Sequence, residues 1–439
     1  MVSLKGGQQT SSASSLGRAA LPLIVSDTAL QGARYAFILY LGAQSLSELG
    51  SFLIGGAVGS LLGVAADFGI SQHWLRLGAK NAHLTCRTFT RAIRGKIICS
   101  LLGLLLLVSL AFGGIWKIAT PLAMAIGLFL MVLQALVDSC EAVGLLFHRY
   151  ATVALFRILI SLGMYAMPLI CGVLLGQDNH VNGISVALIT AAGAGLVLSS
   201  LYIRKVTNAL PGEDNEGMGY KQAWWDARLL GLNQLAVVMD VRAPLIILGV
   251  MLGEAAVGLY GLVQRTTAMV ELAWASISRL LLTSYAELIG VNGVRKMRTQ
   301  VIHAGKVTAL IMTVAAICVW GSARLITRLA ELSAETAIAF SLLQWAVIAI
   351  GFSSIKRPFV SALIALYQER AVCRVNLCMA VGGLILVPLL IMYFGIWGPV
   401  LGWVILEAIA CILILHLFLA MPLTDEAKPD PSLVQRISL

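Results

Sequence analysis

Two adjacent cations and a proline lie inside a long apolar stretch of the sequence. The stretch runs from Ala337 to Tyr367, and Lys356, Arg357 and Pro358 stand far from either end. Arg can bind a phosphate or carboxylate through two parallel hydrogen bonds, whereas Lys acts as a point charge. A proline inside a helix removes a backbone hydrogen bond and bends the helix. The three residues therefore combine a candidate anion site with a candidate hinge.

Other ionisable residues also lie within apolar stretches. A charged side chain at the membrane centre costs roughly 2.5–3.5 kcal/mol on insertion scales, so six cations facing lipid would cost on the order of 15–20 kcal/mol. We therefore expect these side chains to face a cavity or a partner. The candidate substrate-binding cations are Arg34, Arg242, Arg265, Arg279, Lys356 and Arg357. The candidate coupling or pairing acids are Asp27, Asp138, Asp240, Glu271 and Glu407, and the predicted helix kinks are Pro168, Pro358 and Pro388.

Several of these residues also have a purely structural interpretation. Arg265 and Glu271 could pair across a helix bundle. Asp240 and Arg242 should have separate partners, because residues two apart on a helix point in different directions. Two acids are explained equally well as proton carriers or as buried, hydrogen-bonded groups: Asp138 and Glu407.

The adjacent cations Lys356 and Arg357 have an alternative interpretation of their own. Ala337–Ile355 is long enough to cross a membrane, so the two cations could end the span at the cytoplasmic surface. In the other interpretation, one kinked helix continues through Pro358. Polar neighbours or cavity water would then satisfy the backbone carbonyl that the proline frees.

The elements that must hold these charges are membrane helices. The chain has 439 residues, of which 59% are hydrophobic and 12% charged, and its mean hydropathy is +0.90. A soluble domain carries about 25% charged residues. Apolar runs of about 20 residues, each able to cross a roughly 30 Å hydrocarbon core, recur along the chain. The sequence predicts an all-α polytopic membrane protein, and not a barrel of short alternating strands.

About twelve transmembrane helices are predicted. They are Ala19–Leu41, Gly50–Leu75, Ile97–Trp116, Pro121–Phe147, Ala151–Leu175, Gly183–Ile203, Leu229–Leu252, Ala255–Ala286, Val301–Trp320, Ala337–Tyr367, Ala371–Tyr393 and Pro399–Leu419. The loops after the second, sixth and eighth helices are rich in Lys and Arg, and three of the intervening loops have none. This asymmetry places both termini in the cytoplasm. The net charge of +10 is therefore a topology signal, and we expect no nucleic-acid partner.

The two halves of the chain resemble each other. "LGAQSLSELG" (Leu41–Gly50) matches "LGEAAVGLYG" (Leu252–Gly261), and "LLFHRY" (Leu145–Tyr150) matches "ALYQER" (Ala365–Arg370). Both matches are about half a chain apart, which predicts two six-helix lobes around a central cavity. The predicted domains are a disordered cytoplasmic N-terminus (1–18), an N-lobe (19–203), a cytoplasmic linker (204–228), a C-lobe (229–420) and a cytoplasmic tail (421–439).

Four stretches resemble the polysaccharide and O-antigen repeat-unit flippases of the multidrug/oligosaccharidyl-lipid/polysaccharide exporter superfamily. They are "VAADFGISQHWLRLGAK" (Val64–Lys80), "MDVRAPLIILGVMLGEAAVGLYGLVQR" (Met239–Arg265), "KRPFVSALIALYQERAVCRVNL" (Lys356–Leu377) and "YFGIWGPVLGWVI" (Tyr393–Ile405). In the last stretch, Phe394 is an insertion relative to the family pattern. The chain also differs from the family at many charged positions, so the lining of the cavity cannot be transferred.

The resemblance implies transport of an undecaprenyl-pyrophosphate-linked oligosaccharide to the periplasmic leaflet of the bacterial inner membrane. It also favours the kinked-helix interpretation of Lys356 and Arg357. The implied partners are the lipid-linked substrate, membrane lipids and, in the same pathway, a polysaccharide polymerase and chain-length proteins. The alternatives are an ion-coupled cation or drug antiporter and a non-transporting scaffold for a polysaccharide synthase.

No pattern typical of an enzyme is present in the sequence. There is no phosphate-binding Walker loop and no metal-ligand spacing. The eight cysteines are scattered without a CxxC pair, so they predict neither a disulfide framework nor a zinc site. We therefore expect no enzymatic activity, no cofactor and no metal.

Overall fold

The computed structural model describes residues 13–71, 150–166, 168–170, 220–329, 334–366 and 368–421, with residues 98, 103, 105, 125–129 and 173. Within these ranges, most side chains between 269 and 294 are not described. The predicted Asp138 falls outside the described residues altogether. The side chains of three further predicted residues are not described either: Asp27, Glu271 and Arg279.

The described residues are almost entirely helical, which confirms the all-α prediction. The helices are α1 (Ala13–Gln44), α2 (Leu46–Asp67), α3 (Tyr150–Ser161), α4 (Tyr220–Leu252), α5 (Glu254–Leu329), α6 (Ala334–Ala365), α7 (Glu369–Phe394) and α8 (Gly398–Leu419). A π-helical turn, Leu162–Ala166, follows α3, and a 3₁₀ turn, Gly395–Trp397, joins α7 to α8.

Six segments in the described part are long and apolar enough to cross a membrane. They are Leu46–Asp67, Thr152–Ile170, Ala227–Leu252, Arg295–Ser322, Ala337–Ala365 and Glu369–Leu419. The last of these has 51 residues and contains both α7 and α8, so it is long enough for two crossings.

Several helix boundaries differ from the sequence prediction. Helix α1 begins at Ala13, inside the stretch predicted to be disordered, and α4 begins at Tyr220, inside the predicted linker. Helix α5 is continuous over 76 residues, although the sequence predicts a loop between its two apolar parts. That predicted loop contains Arg295, Lys296 and Arg298 but no proline, and Arg and Lys are good helix formers.

The matching stretches of the two halves each contain a break between two helices. Ser45 separates α1 from α2, and its hydroxyl accepts a hydrogen bond from the backbone N–H of Glu48, as a helix N-cap does. Gly253 separates α4 from α5 with a φ of +86°, a conformation that favours glycine. The predicted repeat therefore has a helix break at a similar place in each half.

The structure forms two compact units. The first comprises Met1–Phe37, Trp74–Thr90 and Val137–Gly217, and the second comprises Ile38–His73, Arg91–Leu136 and Met218–Leu439. The division into lobes at 19–203 and 229–420 stays a prediction.

Within the second unit, α2 packs antiparallel against α5 at two glycines. A Cβ atom built on Gly50 would lie 1.8 Å from the carbonyl oxygen of Glu254, and one on Gly258 would lie 2.1 Å from that of Leu46. Only glycine permits this approach of two backbones. The hydroxyl of Ser47 also donates a 2.8 Å hydrogen bond to Oε2 of Glu254.

The remaining helices of the second unit pack as neighbours. The C-terminal part of α5 forms an antiparallel pair with α6, in which the indole N–H of Trp320 donates to the carbonyl of Gln344 at 2.9 Å. Helix α6 also packs on α8, while α7 lies between α4 and α8. Five helices, α4 to α8, thus surround a common cavity.

Candidate functional site: a charged cavity in the second unit

A cavity of about 640 Å³ lies among helices α4, α5, α6, α7 and α8. Four basic and two acidic side chains line it, so its formal net charge is +2. They are Arg242, Arg265, Lys356, Arg357, Asp240 and Glu407. Six of the residues singled out from the sequence are therefore brought together in one place.

Helix α6 supplies the cation pair. It continues from Ala334 to Ala365 through Pro358, so Lys356 and Arg357 lie well inside the helix. The residues of α6 that line the cavity recur three or four apart, as one face of a helix requires. They are Ser353, Lys356, Arg357, Val360, Ser361 and Ile364.

Lys356 forms an ion pair across the cavity with α8. Its Nζ lies 2.5 Å from Oε2 of Glu407, and both side chains are largely buried. This Oε2 accepts no hydrogen bond from the described residues, so the ammonium group is its polar contact there. Glu407 shares its face of α8 with Trp403 and Ala410, which also line the cavity. The sequence does not predict this pairing, because the two residues lie on different helices.

Helix α4 brings to the cavity a proline that is not among the predicted kinks. Pro244 lies inside α4 and lines the cavity with Asp240 and Arg242. A proline disturbs the carbonyls three and four residues before it. The amide of Gln264, on α5, donates a 3.0 Å hydrogen bond to the carbonyl of Val241, one of these two groups. The sequence does carry a signal at this position, since Pro244 interrupts an apolar stretch as Pro358 does.

An amide pair joins α4 to α7 at the cavity. The side-chain N–H of Asn376 donates a 2.9 Å hydrogen bond to Oδ1 of Asn233, and Asn376 lines the cavity. The pair is partly buried, and the hydrogen bond forms only when the two helices are in register. The contact therefore fixes α7 against α4. Neither asparagine is among the predicted residues.

An apolar cluster adjoins the charged face of α6. Phe359, directly after Pro358, packs edge-on against Phe418 with ring centroids 5.3 Å apart. Gly305 leaves room for this ring, because a Cβ there would lie 2.8 Å from two of its atoms. Ala362 and Leu363 belong to the same cluster. The last turns of α6 are thus anchored among α5, α7 and α8.

Of the predicted residues in the first unit, Arg34 and Pro168 have described side chains. The guanidinium carbon of Arg34 lies 5.8 Å from the centre of the Tyr165 ring, within the range of a cation–π contact. Pro168 is buried and follows the π-helical turn Leu162–Ala166. A widened turn before a proline is one way to accommodate the ring.

Pro388 lies inside α7, as predicted, but it is not among the residues that line the cavity. No group of three His, Cys, Asp or Glu side chains suited to a metal occurs in the part of the chain that the structure describes.

The comparisons with known proteins identify the fold. No family model and no curated protein sequence matches the chain. Solved structures do match over nearly the whole length. The MATE multidrug transporter DinF-BH, in complex with R6G, has a TM-score of 0.66 at 15% identity and covers 92% of this chain and 94% of its own. The eukaryotic MATE transporter AtDTX14 has a TM-score of 0.64 at 12% identity and covers 95% and 98%.

A third similar structure is a MOP superfamily transporter from Pyrococcus furiosus, described as having a binding pocket of reverse polarity. It has a TM-score of 0.64 at 14% identity and covers 92% of this chain and 94% of its own. At these identities, the likeness establishes the fold alone. The chain therefore has the fold of the MATE-type transporters of the MOP superfamily, with about twelve membrane helices.

Proposed function

We propose that the protein is a flippase for an undecaprenyl-pyrophosphate-linked oligosaccharide. It moves this substrate from the cytoplasmic to the periplasmic leaflet by alternating access, for exopolysaccharide or O-antigen synthesis. The observation that supports the proposal is the net positive cavity, in which four basic side chains face two carboxylates.

The cavity matches the chemistry of a lipid pyrophosphate. This group is anionic, so it would offset the formal charge of +2. Arg242, Arg265 and Arg357 offer paired donors to phosphate oxygens, and Lys356 offers a mobile point charge. A volume of about 640 Å³ lies within the usual range of roughly 300–1,000 Å³ for small-molecule sites. It suits the pyrophosphate together with the adjoining sugar.

The fold supports transport over catalysis. Its structural neighbours are transporters, and two of them are described as inward-facing and outward-facing conformations of a MATE family transporter. The neighbour with a pocket of reverse polarity is a precedent for one fold serving substrates of different charge. A bacterial inner-membrane location, cytoplasmic termini and a polymerase partner belong to the same proposal.

A cation or drug antiporter is the second candidate. Asp240 and Glu407 in the cavity favour it, because cationic substrates require carboxylates. Glu407 is already paired with Lys356, however, and the basic side chains outnumber the acidic ones. A lipophilic cationic dye that bound the cavity more tightly than a prenyl pyrophosphate would favour the antiporter.

Neutralising Arg357 tests the flippase. A charge-assisted contact is worth roughly 1.5–3 kcal/mol, so Arg357→Gln should slow export of the lipid-linked glycan about ten- to a hundredfold. The amount of protein in the membrane should stay normal. The matched control is Arg295→Gln, which removes an exposed cation of α5 that does not line the cavity. Normal export by a Lys356→Gln/Arg357→Gln double variant would refute the proposed role of these cations.

A further inference from the structure

We infer that Glu407 is a displaceable counter-ion. Its carboxylate pairs with the ammonium group of Lys356 until a phosphate of the substrate takes the place of the carboxylate. The inference rests on the proposed function and assigns Glu407 a role in controlling affinity. Glu407 would then set how tightly the cavity holds an anion, while Lys356 makes the contact.

Lys356 and Glu407 face the cavity from different helices, and both line it. A ligand that enters the cavity therefore reaches the ammonium group and the carboxylate from the same side. An anion competes directly with the carboxylate for the same three N–H donors of the lysine.

The ion pair between Lys356 and Glu407 has little support from neighbouring polar groups among the described residues. A buried ion pair offsets its desolvation cost only when further hydrogen bonds satisfy the remaining lone pairs. Oε2 of Glu407 lacks such a bond from the described residues. The pair is short but poorly supported, so an incoming phosphate with more acceptor oxygens can replace the carboxylate.

Glu407 also lowers the net positive charge of the cavity. With Glu407 ionised, the basic and acidic side chains that line it sum to +2, and without it they sum to +3. Five other ionisable groups line the cavity. Helix α4 supplies Asp240 and Arg242, α5 supplies Tyr260 and Arg265, and α6 supplies Arg357. The pyrophosphate of the proposed substrate is a diester with two negative charges, so a cavity at +3 would overcompensate it and retain it. Glu407 thus favours release after transport.

The structural alternative is that the pair only holds α6 against α8. In that case, removing either partner lowers the stability of the protein and leaves anion affinity unchanged. The displaceable counter-ion predicts the opposite pattern, in which the two partners have effects of opposite sign on affinity.

The test is binding of farnesyl diphosphate, a prenyl pyrophosphate, to the purified full-length protein by titration calorimetry, with farnesol as the neutral control. Glu407→Gln should bind farnesyl diphosphate about ten- to a hundredfold more tightly, since Lys356 loses its competing anion. Lys356→Gln should bind more weakly by a similar factor. The gain in affinity from Glu407→Gln should be smaller when Lys356→Gln is also present, because most of the effect of Glu407 passes through Lys356.

Two further variants make the test specific. Glu407→Asp keeps the charge but shortens the side chain, so its affinity for farnesyl diphosphate should fall between those of wild type and Glu407→Gln. This variant also replaces Glu407→Gln in the test if Glu407→Gln does not fold. Asp67→Asn is the matched control, because Asp67 is as buried as Glu407 but does not line the cavity. Its affinity should equal that of wild type.

The outcomes separate this inference from the proposed function. If wild type binds farnesyl diphosphate and Glu407→Gln binds it equally or more weakly, the counter-ion role is wrong and the proposed substrate class stands. If neither protein binds it, both are wrong. Binding by Glu407→Gln alone would support the counter-ion role in its strongest form.

Discussion

Packing of α2 against α5 should depend on Gly258 and Gly50. A methyl group at Gly258 would lie 2.1 Å from the carbonyl oxygen of Leu46, and one at Gly50 would lie 1.8 Å from that of Glu254. Cβ contacts under 3.0 Å essentially never occur, so the helices would have to move apart at either position. Both carbonyl oxygens belong to the backbone, so they cannot move aside as the end of a flexible side chain can.

This clash has a predictable magnitude. Overpacking a well-packed contact costs roughly 1–3 kcal/mol. Gly351, inside α6, has no atom within 4 Å of the position that a methyl group would occupy, and glycine to alanine in a helix gains roughly 0.5–1 kcal/mol. Gly258 also lies inside a helix, so both substitutions share this gain. Gly258→Ala and Gly351→Ala should therefore differ by the overpacking cost, roughly 1–3 kcal/mol, with Gly258→Ala the less stable protein.

The measurement is thermal unfolding of the purified variants in one detergent, with Gly50→Ala as a second test of the same contact. Gly258→Ala should unfold below wild type, and Gly351→Ala at or above it. If Gly258→Ala unfolded at the same temperature as Gly351→Ala, the close approach of α2 and α5 would be refuted.

Two other predictions concern topology and movement. A reporter fused at Gln177 should give a periplasmic signal and one fused at Thr424 a cytoplasmic signal, because Lys and Arg are concentrated in the loops predicted to be cytoplasmic. A periplasmic signal at Thr424 would contradict the topology. Cysteines at Gly42 and Gly253, near the helix breaks of the two halves, should cross-link and stop transport by trapping one state. Full transport by the cross-linked protein would count against alternating access.

The helical class and several helix boundaries could be predicted from the sequence. Length and apolar composition decide whether a segment can cross a membrane, and both are local properties of the chain. The predicted spans Ala371–Tyr393 and Pro399–Leu419 accordingly agree closely with α7 and α8. The two parts of α5 are predicted less well, because hydropathy marks where apolar residues stop and not where helical hydrogen bonds stop.

The positions of the charges could also be predicted, since the cost of exposing them to lipid does not depend on the details of packing. Four of the six predicted cations line one cavity, together with Asp240 and Glu407. Arg34 lies in the first unit against Tyr165, and the side chain of Arg279 lies outside the described residues.

Only the tertiary structure decided which groups meet. The pairing of Lys356 with Glu407 depends on how α6 and α8 are rotated toward each other. The bond from Gln264 to the carbonyl of Val241 depends in the same way on α4 and α5. Hydrophobic periodicity identifies the face that a helix buries but not the neighbour that covers it. The sequence by itself thus determined that buried cations need partners, whereas helix packing selected the partners.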